Sequence, residues 1–444
     1  MPYWQRAGQR ASGRSAYVDA IAHLTQGLAL LEPLPGTPAR AQQELAVQMT
    51  LGPVLMALKG GGAPEVERVY TRARDLCERV GEPAELFRVL WGVWYVYNVR
   101  GEHQRARELG EELLSLAQRI QDPDLLLEAH HALWAILFFA GEPAAARPHL
   151  DQGVRLYDPQ RHRSLAARYT GHDPGVCCRI IAAQSFWLLG YPDQAVASSQ
   201  VALDLAQQLD HPFSLTIALN FAAILHHCRR EAPFTQAQAE AALTLATEQD
   251  LRQQLERARP LWGWALAARG HGEEGIIQIR QALAADRSTG ATRDRPYNLA
   301  LLAEASAQGG QTTEGLEALA EALALLATSG VRWWEAELHR LRGELLLQSG
   351  VQSPESSVLT HHSTLRMPHA AEAEACFQQA LEIARRQQAK SLELRAAMSL
   401  SRLWQQQGKR AEAYEMLTPI YSWFTEGFDT ADLQEAKALL EALM

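Results

Sequence analysis

The sequence predicts an all-α fold: an α-α superhelix of about ten helical hairpins with a C-terminal capping helix. Three observations predict it. First, a small-and-bulky pattern recurs about every 35 to 45 residues. Its clearest copies are Ala373-x3-Phe377-x2-Ala380 and Ala413-x3-Leu417-x2-Ile420. The same spacing occurs in Ala195-x3-Ser199-x2-Ala202, Ala146-x3-Leu150-x2-Gly153, Ala106-x3-Gly110-x2-Leu113 and Ala20-x3-Leu24-x2-Gly27. Steps of four and three put each set on one helical face. Second, β-branched residues are sparse and never alternate over a strand's length, so no sheet is expected. Third, the chain has 444 residues, 47% of them hydrophobic. One globular core rarely grows that large, whereas a repeat array packs each unit only on its neighbours.

The elements follow from break signals. The first unit covers about residues 3–33 and ends at Leu31-Glu32-Pro33. The second runs 39–81, broken by Gly60-Gly61-Gly62. The third (84–122) and fourth (124–158) each close on Asp followed by Pro, because Pro disfavours helical backbone at the residue before it. A looser joint, 158–174, is rich in Arg, His and Gly. Units five to eight occupy 175–211, 212–249, 251–287 and 294–329. The ninth starts at Arg332, and its second helix begins only near His369. Residues 349–368, rich in Ser, Thr and Pro, read as a flexible surface insertion. The tenth unit is 391–426, and a last helix from Thr430 covers the apolar end. Residues 1–427 thus read as one continuous solenoid and 428–444 as its cap. Gly101, Gly141, Gly190, Gly270, Gly309 and Gly408 sit where first helices end and can take positive φ there.

Small residues mark where paired helices approach closely: Gly8, Gly92, Ala132, Ala183, Gly263 and Gly343 in first helices. Bulky partners fill the remaining space. Trp4, Trp91, Trp134, Trp187, Trp262, Trp333 and Trp404 fall in first helices and are expected to pack between consecutive hairpins.

Composition excludes several functions. The formal net charge is −9, and Arg is interleaved with Glu and Asp, so no nucleic-acid partner is expected. Five scattered cysteines with no CxxC fit a cytoplasmic protein without a disulfide framework. The start MPYWQRAGQR lacks the apolar core of a secretory signal. The apolar run 132–140 is too short for a bilayer, so no membrane role is expected. No GxxxxGK[ST], HExxH or GxSxG occurs, and no GxGxxG follows a strand, so neither catalytic residues nor a cofactor are expected. Glu128, His130 and His131 lie together, as do His226, His227 and Cys228, but adjacent helical residues point about 100° apart. Glu128 and His131 are in phase, yet a third ligand would have to come from another unit. The pair His361-His362 is weaker, and Cys177-Cys178 reads as two buried small hydrophobes. No metal site is therefore expected.

The pattern of Trp4, Gly8, Ala11, Ala20, Leu24, Gly27 and Pro33 resembles the tetratricopeptide repeat, as do Leu341, Gly343, Ala373, Phe377 and Ala380. Residues 3–11 with 20–24 resemble the first repeat after the ATPase module of bacterial multidomain signalling ATPases and MalT-like regulators. Residues 380–396 and 423–433 resemble their final repeats. In that family a class III adenylate cyclase or DNA-binding domain and an ATPase precede the repeats. The resemblance covers essentially the whole chain. It implies a non-catalytic interaction and regulatory sensor region. The partner would be a protein or peptide, or a covalently linked ATPase or cyclase module. The alternative is a freestanding MalT-like sensor or adaptor that binds a small ligand in the concave groove.

First helices line the inner wall in the resembled family. Positions within two turns of the small residue, off the packing face, are therefore the binding candidates. These are Tyr95, Tyr97, Gln184, Trp187, Asn220, His226, Trp264, Arg340, Glu344, Arg395 and Arg402. Aromatic, amide and guanidinium groups together suit peptide or helix docking.

Overall fold

A computed structural model describes residues 2–12, 16–80, 83–162, 165–169, 171–352 and 369–444. All regular structure among the described residues is helical. Four hairpins come first: α1 (Pro2–Ser12) with α2 (Tyr17–Leu31), α3 (Pro38–Lys59) with α4 (Pro64–Val80), α5 (Pro83–Val99) with α6 (His103–Ile120), and α7 (Pro123–Phe139) with α8 (Pro143–Leu156). The joint carries two single turns, α9 (Pro159–His162) and α10 (Leu165–Arg168). Four further hairpins follow: α11 (Pro174–Leu188) with α12 (Pro192–Gln208), α13 (Pro212–Cys228) with α14 (Ala232–Glu248), α15 (Arg252–Ala268) with α16 (Gly272–Thr289), and α17 (Arg295–Gln308) with α18 (Thr312–Thr328). The last two pair α19 (Glu335–Gln352) with α20 (Ala370–Arg386) and α21 (Lys390–Gln406) with α22 (Arg410–Tyr421). A lone helix, α23 (Ala431–Leu443), closes the array. Of the expected insertion, residues 349–352 belong to α19 and the rest lie outside the described residues.

The local chemistry explains the starts. Asp122 accepts from Asp124 N at 2.8 Å, and Asp173 accepts from Val176 N at 3.0 Å. Each Asp caps its helix while the following Pro occupies a position that needs no N–H. Between paired helices, Gly101, Gly141 and Gly190 have φ of 72°, 77° and 90°. At the eighth hairpin the register differs from expectation: Gly309 has φ −81° and Gly310 takes the left-handed position. In the sixth, Arg230 adopts φ 63° without a glycine.

The repeat pattern marks the buried face. All eighteen residues of the six motif copies are buried. The small first-helix positions are spacers. A Cβ on Gly92 would lie 2.0 Å from the Tyr70 ring, and one on Gly263 would lie 2.6 Å from the carbonyl oxygen of Gly275. Gly343 faces the edge of the Phe377 ring at 2.5 Å in the same sense.

The solenoid also touches itself. Connections of the later hairpins dock on the turns of the earlier ones. Arg332 N donates to Phe139 O at 2.8 Å, Thr292 N to Val99 O at 3.0 Å, and Gly330 N to Gly101 O at 3.0 Å. The Ser391 hydroxyl donates to Trp187 O at 2.5 Å across 204 residues. Glu426 accepts from the backbone N–H groups of Asp193 and Gln194. Gly62 and Gly290 meet backbone to backbone, where a Cβ on Gly290 would come within 2.8 Å of the Gly62 oxygen. One superhelical turn therefore takes about five hairpins and seats directly on the next. This corrects the expected role of several tryptophans. Trp333 packs on Tyr297 of the preceding hairpin (5.0 Å between ring centres) but also on Phe138 (5.3 Å), and Trp187 packs on Trp334 (5.9 Å), so both reach across superhelical turns. Trp4, Trp262 and Trp404 remain half-buried.

The spacer argument is testable. Gly343→Leu should destabilise the protein by about 1–3 kcal/mol through overpacking against Phe377. Chemical denaturation measures it, and an unchanged midpoint would refute the assigned repeat phase.

Candidate partner-binding groove

Helices α13, α15, α17, α19 and α21 are all first helices, and their inner faces converge with α23 on a groove of about 500 Å³. Its lining is charged. Arg230, Arg340, Arg395 and Arg402 face Glu304, Glu337, Glu344, Asp432 and Glu435. The floor is buried: Glu337 is 2% exposed and Arg395 6%. The rim opens to solvent, with the Arg230 and Arg402 side chains 44% and 42% exposed.

The sequence spacing of this wall is the repeat itself. Arg395 bonds Asp432, 37 residues on, at 2.8 Å, and Arg402 bonds Glu435, 33 residues on, at 2.8 Å. Trp264 Nε1 donates to Glu304, 40 residues on, at 2.9 Å. A side chain on one first helix thus reaches the same height on the next. Within α19, Arg340 forks onto Glu337 one turn earlier (2.8 and 2.9 Å) and reaches Glu344 at 3.3 Å. The Ser399 hydroxyl donates to Glu344 at 2.6 Å.

Arg395 is the pivot of the floor. It bonds Glu337 at 3.3 Å, donates to the carbonyl of Cys228 from the previous superhelical turn, and lies 5.1 Å over the Trp187 ring. Burial alone would raise the Glu337 carboxyl. The Arg340 and Arg395 guanidiniums override it and hold that carboxyl down at about 2. Glu304 is also lowered against its burial, by His227 at 3.5 Å and by the Trp264 donor. Tyr297 OH and His227 Nδ1 are 2.7 Å apart behind it.

Five of the expected residues meet here: Trp264, Arg340, Glu344, Arg395 and Arg402. Trp187 is buried beneath Arg395 and forms the backing of the floor. Gln184 and Asn220 are buried ties between first helices. Gln184 Nε2 donates to Phe221 O at 2.8 Å, and Asn220 Nδ2 to Gln254 O at 3.2 Å. They do not face the groove. Tyr95 stacks on Trp91 and Tyr97 lies under Arg105, both far along the chain from this wall. His226 pairs with Glu231 at 2.6 Å at the α13–α14 turn, while its neighbour His227 enters the groove. Sequence reasoning missed Glu304, Glu337, Asp432 and Glu435. The available signal was their spacing from the chosen residues: three residues before Arg340, and one repeat after Trp264, Arg395 and Arg402.

Because the Glu337 carboxyl is depressed in the folded state, its stabilisation is full above the unfolded value near 4.5 and is lost as pH falls toward 2. Glu337→Gln should therefore cost about 3–5 kcal/mol at pH 7, leaving two guanidiniums short of a partner. The gap from the wild type should narrow steadily below pH 4.5 in denaturation experiments. A gap that does not change with pH would refute the assignment.

No protein-family model matches the chain. It is 26% identical over 354 residues to an uncharacterized protein of Rhizobium meliloti, a match covering 79% of this chain and 34% of that protein. The chain thus spans about a third of that relative's length. Among solved structures it is similar to a Rap protein complexed with competence and sporulation factor, at a TM-score of 0.52 and 12% identity over 93% of this chain and 98% of that one. It is also similar to a signal-transduction ATPase with a tetratricopeptide repeat sensor from Pyrococcus horikoshii, at a TM-score of 0.44 and 13% identity over 90% and 55% of the two chains. Helix order and the first of these likenesses together assign the fold as an α-α superhelix of tetratricopeptide-like hairpins.

Proposed function

We propose that this chain is a non-catalytic recognition region. It binds a peptide or protein segment of mixed charge in the C-terminal groove and serves as the regulatory arm of a larger signalling protein. The observation that carries this reading is the groove itself: a concavity of about 500 Å³ walled by successive first helices, with charged side chains exposed at its rim. Small-molecule sites are lined mainly by apolar groups with a few polar ones. Here arginines and carboxylates alternate around the mouth, which suits a chain carrying both charges. The Rap protein, whose fold this chain shares, was crystallised with a competence and sporulation factor, which supports a peptide ligand. The match covers only 34% of the Rhizobium meliloti relative, which supports attachment to further domains. An ATPase or cyclase module is the attachment that the resemblance of the end repeats suggests.

The test uses peptides selected on the wild-type protein from a display library. Arg230→Gln combined with Arg402→Gln should weaken the selected peptides about tenfold or more and reduce the salt dependence of binding. Both side chains are exposed and their ion pairs contribute little to stability, so the melting temperature should hardly move. Selected peptides that bind the double variant as well as the wild type would overturn the groove assignment.

A further inference from the structure

A second cluster of chemistry lies outside the groove, where α7 meets the joint before α11. His131 is buried on α7. His172 sits in the joint beside Asp173, which caps α11, and Cys177 lies in the first turn of α11. The donor atoms of these three residues all lie within 4.8 Å of one another. The two imidazole Nε2 atoms face each other at 3.3 Å. Tetrahedral zinc with bonds of about 2.0–2.1 Å to nitrogen and 2.3 Å to sulfur requires edges of about 3.4 Å between nitrogens and about 3.6 Å between nitrogen and sulfur. The imidazole pair already has that separation, and the Cys177 sulfur lies within 4.8 Å of both rings' ligating nitrogens.

The surroundings fit a ligand set. The other nitrogen of His131, Nδ1, is 3.0 Å from the carboxylate of Glu128, which is 1% exposed. A carboxylate there fixes the tautomer that turns the Nε2 lone pair toward His172, as carboxylates behind metal-bound histidines do. The Trp134 ring stacks on His131 at 5.0 Å and locks its orientation. Cys178, next to Cys177, is occupied elsewhere: its thiol donates to Leu150 O.

We propose that His131, His172 and Cys177 bind a single zinc ion, with Glu128 positioning His131 and a water completing the coordination. On binding, the Cys177 thiol proton passes to solvent as the thiolate forms. One ligand from each hairpin and one from the joint would staple the fourth to the fifth across residues 157–173, where the connection is longest among the described residues. The choice of zinc follows from the donors: two imidazoles and a thiolate are borderline-soft and exclude magnesium and calcium.

The test is a titration of chelator-stripped, reduced protein with zinc against a chromophoric competitor, and with cobalt as a spectroscopic probe. One equivalent should bind, and cobalt should show tetrahedral bands and a thiolate charge-transfer band. Glu128→Gln should weaken binding about 10–100-fold. His172→Ala and Cys177→Ser should weaken it further, and the latter should abolish the thiolate band. Cys178→Ser should change neither. His172 is only partly buried, so its variant should keep the wild-type helical spectrum if Glu128→Gln does not fold. Binding only at millimolar metal, a missing thiolate band, or unchanged affinity in folded His172→Ala would each overturn the site.

Discussion

The structure rests on the contact between successive turns of its own superhelix. Backbone donors at Thr292, Gly330 and Arg332 reach acceptors at Val99, Gly101 and Phe139, and Ser391 reaches Trp187. These bonds need close approach. Glycine supplies it at Gly141, where a side chain would meet Gln387, and at Gly190, where it would meet Trp423. In most helical arrays each unit contacts only its neighbours. Here the turns at Gly101, Gly141 and Gly190 are buried as well, and the interior of the coil is filled by aromatic rings around Trp333 and Trp334.

That contact also shapes the groove. Arg395 is tied to Asp432 ahead of it and to Cys228 behind it, one superhelical turn away. Arg230 takes a left-handed backbone at the α13–α14 turn and reaches Asp432 and Glu435 on the cap. The cap therefore does more than cover an apolar end: it completes the ionic wall. Desolvating so many charges is unfavourable unless each is paired in good geometry. Arg340 and Arg395, sharing Glu337, meet that condition.

Much of the fold was legible because each hairpin is local. The Ala-x3-bulky-x2-small spacing names a face, and every copy of it is buried. Asp-Pro names a cap and a first turn, as at Asp122. Within the groove, the first helices were identified by phase, which found Trp264, Arg340 and Arg395 together. The same phase placed Gln184 and Asn220 on the inner wall, but there both side chains are spent as ties to the next first helix. Closure depends on the summed small rotations of five hairpins, and no single window of sequence carries that sum. His172 and Cys177 were invisible as partners of His131 for a related reason. The joint between hairpins brings them in, and an irregular connection has no period to read.

The turn-on-turn bonds have a kinetic consequence. A linear array of hairpins has low contact order and can nucleate anywhere. This chain adds bonds between residues 192 to 234 positions apart. Such pairs repay the entropy of closing a long loop only after most intervening hairpins have formed. During synthesis the N-terminal half would stand with its turns at Val99, Phe139 and Trp187 uncovered until the C-terminal half emerged to seat on them. The chain is thus a repeat protein whose halves mature together, and removing a terminal hairpin would loosen a partner half the sequence away.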